Sequence, residues 1–155
     1  MNSVDWQKLW QLASSQFRGN PYGIHAVDHW RRVERNGMML AERLKLGGKG
    51  MLVVRLFAVF HDSQRENDGH DPQHGPRAAA YARTLRGTLF ELEDVLMELL
   101  AAACEEHDRG KVSADLVIGT CWDADRLDLT RCGMNPREAL MSTAEGKRLA
   151  RSGCR

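Results

Sequence analysis

Apolar positions along the chain recur at three- and four-residue intervals. The stretches carrying this pattern are cut at Gly19-Asn20-Pro21, Gly47-Gly48, Asn67-Asp68-Gly69, Gly87, Arg109-Gly110 and Gly133-Met134-Asn135-Pro136. Such spacing is that of a helix with one buried face, and glycine and proline mark where helices stop. The pattern predicts helices near 3–16, 23–45, 49–62, 76–86, 91–107 and 113–127, with short helical turns after Pro136. No segment alternates with period two for long enough to make a strand. A sheet would need a fully buried run such as Leu52 to Phe60, whose length and central Arg55 favour a buried helix instead. The expectation is an all-α protein without repeats or linkers, and 155 residues suit a single domain. In the first stretch Trp6, Leu9, Trp10 and Leu12 fall on one side. This predicts a helix lying over the core as a lid, with the two tryptophans as packing residues.

The polar exceptions to the apolar stripes carry the chemical information, because a polar group on an inward face needs a partner. The stripe Val33, Leu40, Leu44 runs back one turn to His29, and the stripe Val54, Phe57 runs forward to His61, followed at once by Asp62. Leu96, Leu100 and Ala103 lead to His107, while Ile118, Cys121 and Trp122 share a face with Asp125. Any one of these alone is more often a hydrogen-bonded core residue or a helix cap. Together, imidazoles and carboxylates on inward faces of four helices make a nitrogen and oxygen site suited to Mn, Fe, Ni, Zn, Co or Mg. His25 stands one turn before His29 and faces the same way, whereas His70 has no stripe to orient it and reads as a loop residue. Asp123 is expected to point away from Asp125, and Asp128, one turn on, toward the same space.

Charge narrows the choice of ligand. Lys and Arg total 22 against 21 for Asp and Glu, so no strongly basic surface points to a nucleic-acid polymer, and any anion must meet a local cluster. No apolar run is long enough to cross a bilayer, and Asp5, Gln7 and Lys8 stand where a signal peptide needs an apolar core, which predicts a cytoplasmic protein. Cys104, Cys121, Cys132 and Cys154 form no CxxC pair and read as reduced thiols, two of them buried on helices.

The order His29 … His61-Asp62 … Asp125 resembles the H…HD…D signature of the HD-domain superfamily of metal-dependent phosphohydrolases. His29-Trp30-Arg31-Arg32-Val33 is similar to the HxxRV of its first ligand helix, and Ala124-Asp125-Arg126-Leu127 to the ADxL carrying its last ligand. The likeness runs from about His25 to Leu129. It implies a single-domain HD-type helical bundle over residues 1–155, with a metal-binding core at about 25–129, and hydrolysis of a phosphate ester. His74, before Gly75-Pro76, and His107 resemble the additional ligands with which some members hold a second divalent ion.

The implied reaction is attack of a metal-activated water on a small phosphorylated metabolite or nucleotide, with Asp62 and His25 as candidate catalytic groups. Arg32, Arg65, Arg126 and Arg131 are the candidate phosphate-binding residues, because a guanidinium can donate two parallel hydrogen bonds to a phosphoryl group. Arg65 occupies the position where HD nucleotidases place a Glu, which counts against a deoxynucleotide 5′-phosphatase. No GYP-like segment suggests a cyclic dinucleotide. Two alternatives stay open: a di-iron oxygenase of HD type, which needs the second ion, and a silent nucleotide-binding module.

Overall fold

The computed structural model describes residues 3–153. Its helices are α1 (Trp6–Ser15), α2 (Val27–Arg43), α3 (Gly47–Phe60), α4 (His74–Leu85), α5 (Asp94–Glu106), α6 (Leu116–Arg126) and α7 (Ala144–Arg151). Two short 3-10 segments, Leu127–Cys132 and Glu138–Leu140, lie between α6 and α7. No sheet forms among the described residues; only isolated bridges join Phe90 to Val4 and Arg86.

The centre of the bundle is α3. Val53, Val54, Leu56, Phe57, Ala58, Val59 and Phe60 are all buried, so this helix is apolar all round and other helices must surround it. It contacts α1, α2, α4, α5 and α6, with α2 as its most extensive partner, while α4 and α5 form a second close pair. Close approach of α2 to α3 depends on Gly37, where a Cβ would stand 2.6 Å from Val54 Cγ1. Arg55, anomalous in so apolar a helix, reaches outward: its Nε donates to Glu34 at 2.8 Å and its guanidinium lies 3.9 Å over the Trp6 ring.

Local signals explain the helix ends. Asp5 accepts from Lys8 N at the start of α1, and Asp115 accepts from Val117 N and Ile118 N at the start of α6. Helix α1 buries Leu9, Trp10 and Ala13 against the core; Leu12, placed by the sequence on the same face, is exposed instead. The residues after Pro136 also depart from the expectation of short turns only, because α7 is a true helix. Its start is fixed by a buried tertiary contact, Asp123 accepting from Ser142 N, Thr143 N and Thr143 Oγ1 at 2.7–2.8 Å. Thr143 in turn caps Gly146 N. Cys104 and Cys121 are buried free thiols on α5 and α6, Cys132 is half-buried, and Cys154 lies outside the described residues. No described helix is long and apolar enough to cross a membrane.

Candidate metal centre

Five helices deliver their ends to one place. His29 sits in the first turn of α2, His61 caps the C-terminus of α3 with Asp62 following, and Asp125 is in the last turn of α6. His74 opens α4 and His107 caps the end of α5. The meeting of α4 and α5 needs Gly75: a Cβ there would lie 2.5 Å from Cys104 O and 2.9 Å from Glu105 O, so any side chain would push His74 away from His107.

These side chains form two groups that share one carboxylate. His29 Nε2 is 3.1 Å from His61 Nε2 and 3.0 Å from Asp125 Oδ1, and Asp62 Oδ2 lies 3.4 and 3.5 Å from the same two nitrogens. His74 Nε2 is 3.0 Å from His107 Nε2, and Asp62 Oδ1 lies 3.2 and 3.3 Å from that pair. Asp62 therefore offers one oxygen to each group. The donor atoms of His29, His61 and Asp125 lie within 4.8 Å of one another, as do those of Asp62, His74 and His107.

Hydrogen bonds at the far side of each ring decide which nitrogen carries the proton. His61 Nδ1 faces the carbonyls of Phe57 and Ala58, His107 Nδ1 faces Cys104 O at 2.7 Å, and His74 Nδ1 faces Asp71 O. A carbonyl only accepts, so each Nδ1 holds its hydrogen, and in the neutral ring Nε2 is left with an inward lone pair. His29 Nδ1 likewise donates to Asp128 Oδ2 at 2.7 Å, and Arg32 Nε donates to both oxygens of that carboxylate at 2.9 and 3.0 Å. Two lone pairs facing at 3.0–3.1 Å repel unless a positive charge lies between them. Neutral imidazoles oriented from behind, plus carboxylates, are the donor set of a borderline-hard divalent cation, and the residues present fit such an ion.

The same groups set one another's ionisation. Burial opposes protonation of His29, but hydrogen bonds to Asp125, Asp128 and Asp62 outweigh it and lift its pKa to about 10. Burial keeps His61 below the ordinary histidine value. Burial would raise Asp62 and Asp125, yet the surrounding imidazoles hold both carboxyls well below the usual carboxylate range. His107 is raised, its burial overcome by Asp62.

A cavity of about 640 Å³ opens beside both groups, bordered by His25, Asp62, His107 and Asp125 and by residues of the segment from Arg126 to Leu140. Its size is that of a small-molecule site. His25 reaches it with Nδ1 donating to Asp62 Oδ2 at 3.0 Å. Of the four arginines singled out in the sequence, Arg65, Arg126 and Arg131 border the cavity. Arg32 does not, since its guanidinium is engaged by Asp128 behind His29. Arg131 donates to Ile24 O and Asp128 O, and Arg126 donates to Leu140 O. His70 is exposed in its loop.

Sequence reading did not place Asp108, Asn135 and Arg137, which also border the cavity. They stand in irregular segments, where no periodicity orients a side chain. Asp128 was legible only as facing the same space; its bond to His29 needed the fold.

No family model matches the chain, and no curated protein matches it. The arrangement of helices is the HD-type fold. A crystal structure of a predicted HD superfamily hydrolase from an uncultured Thermotogales bacterium is similar to this chain with a TM-score of 0.72 and 20% sequence identity. The match covers 97% of this chain and 86% of that one.

Proposed function

We propose that this protein is a metal-dependent phosphohydrolase acting on a small phosphorylated metabolite or nucleotide. The observation that carries the reading is the convergence of histidine Nε2 atoms in two groups, with the two oxygens of Asp62 divided between them. His29, His61, Asp62 and Asp125 would hold a first divalent ion, and Asp62, His74 and His107 a second. An ion so held lowers the pKa of a bound water toward neutrality and draws charge from a phosphoryl oxygen. Asp62, fixed by His25 on one oxygen and Arg65 on the other, orients the groups around it. With Nδ1 turned to Asp62, His25 would serve a leaving oxygen as proton donor through its other ring nitrogen, from the cavity edge. Arg126, Arg131 and Arg65 bring positive charge to the cavity wall for an anionic substrate. Arg32 serves the site indirectly, by holding the carboxylate that orients His29.

The second donor group favours one further reading, a di-iron oxygenase, because that chemistry requires two adjacent ions. The experiment that separates the readings is metal analysis of protein purified without chelators, with phosphorylated metabolites screened under air and under nitrogen. Phosphate release with Mn, Mg, Co or Ni supports the hydrolase; iron with a mixed-valent EPR signal and oxygen-dependent turnover supports the oxygenase. His61→Ala should lose bound metal and activity while keeping its helical circular dichroism, because the fold is held by the apolar core. Normal metal content in that variant overturns the reading.

A further inference from the structure

The two donor groups differ in charge, and the difference centres on Arg65. Around the first group stand three carboxylates, Asp62, Asp125 and Asp128, the last acting through His29. The second group has only its share of Asp62 and, behind His74, Asp108, whose Oδ2 is 3.7 Å from His74 Nδ1 and whose side chain is 38% exposed. Arg65 Nε lies 3.4 Å from the same Asp62 oxygen that faces His74 and His107. Its side chain is 7% exposed, Nη1 is tied to the carbonyls of Asn67 and Gly69, and Nη2 lies 3.8 Å from Asp108 Oδ2, so the guanidinium is held in place and only partly offset by Asp108. The corresponding partner on the other Asp62 oxygen is the imidazole of His25.

We propose that Arg65 makes the two groups unequal: the Asp62–His74–His107 group holds a divalent cation weakly until an anionic ligand joins it. A fixed positive charge beside the shared oxygen repels an incoming cation, and the donor side chains there are almost wholly buried, which strengthens the effect. An anion entering the cavity, which Arg65 also borders, offsets that charge and supplies the oxygen ligands the second group lacks. Binding is therefore ordered, with the first ion resident and the second held together with the anion. This inference rests on the metal-binding reading above.

The test is titration of the full chain with Mn²⁺, followed by calorimetry and by EPR counting of free ion, with and without inorganic phosphate. The wild type should bind one Mn²⁺ tightly and a second at least about tenfold more weakly, with phosphate tightening only the second. Arg65→Gln should narrow that gap without phosphate, Arg65→Lys should preserve it, and Asp108→Asn should widen it. Lysine keeps the charge without the fork of hydrogen bonds, so a purely structural role for Arg65 predicts that Lys and Gln behave alike. Equal affinities in the wild type, or a gap that ignores both Arg65→Gln and Asp108→Asn, overturn the inference. Should Arg65→Gln not fold, the Asp108→Asn and Arg65→Lys arms decide. Loss of all Mn²⁺ dependence on His61 and His107 would instead overturn the metal reading itself.

Discussion

His29 and His61 face each other Nε2 to Nε2 at 3.1 Å, with His29 strongly basic and His61 held neutral by burial. In metal-free protein at neutral pH, His29 carries the proton that sits between them, and a cation must displace it, since a metal ligand has to be deprotonated. Calorimetry at pH 7 in buffers of different ionisation enthalpy should therefore show about one proton released with the first ion. A binding enthalpy independent of buffer would contradict the assignment of His29. The neighbouring aspartates separate a ligand from a strut. Asp125→Asn removes the charge facing His29 and His61 and should cut metal affinity by orders of magnitude. Asp123→Asn should leave metal binding unchanged but cost about 1–3 kcal/mol of stability, because its amide nitrogen cannot accept the bonds from Thr143. Similar metal loss from both variants would show that the wrong carboxylate has been named.

Helix ends, more than helix faces, build the centre. A terminus aims its last side chain beyond the apolar stripe, which lets His61, Asp62 and His107 project from segments otherwise buried in the core. The approach of α4 to α5 is the most demanding of these packings, and Gly75 is its fulcrum. Gly75→Ala sets a methyl group against two backbone carbonyls of α5, which cannot move without the helix. The expected cost is about 1–3 kcal/mol, and the second Mn²⁺ equivalent should be lost while the first remains. Urea denaturation together with ion counting checks both halves. An alanine variant as stable as wild type, with both equivalents, would mean that α4 and α5 are less constrained than their contact implies.

At the scale of the whole molecule, the centre links stability to pH. Asp62, Asp125 and Asp128 have lower pKa values folded than unfolded, so their contribution is present above the ordinary carboxylate range and is lost as pH falls through the depressed values. His29 is raised, so its contribution is complete below the unfolded value of 6.5 and disappears as pH rises toward about 10. Metal-free protein should thus melt at lower temperature both in acid and between pH 6.5 and about 10. Saturating metal, which binds only the folded state, should raise the melting temperature and remove the alkaline decline. A flat alkaline profile in chelated protein would sink this account.

Periodicity alone determined the helical class and the six longer helices to within a few residues, because a buried face imprints its spacing on the chain wherever it runs. It also placed His29, His61, Asp62, His107 and Asp125 on inward positions, since an ionisable residue interrupting an apolar stripe is visible without any neighbour. What periodicity cannot carry is partnership. That Asp128 orients His29, that Arg32 serves Asp128 and stands away from the cavity, and that Arg65 clasps the shared oxygen of Asp62 are contacts between residues far apart in sequence or set in turns. Helix α7 escaped for the same reason, its start being fixed by Asp123 across the fold. A side chain's spacing reports which face it occupies, but only the packed helices decide which charge meets it there.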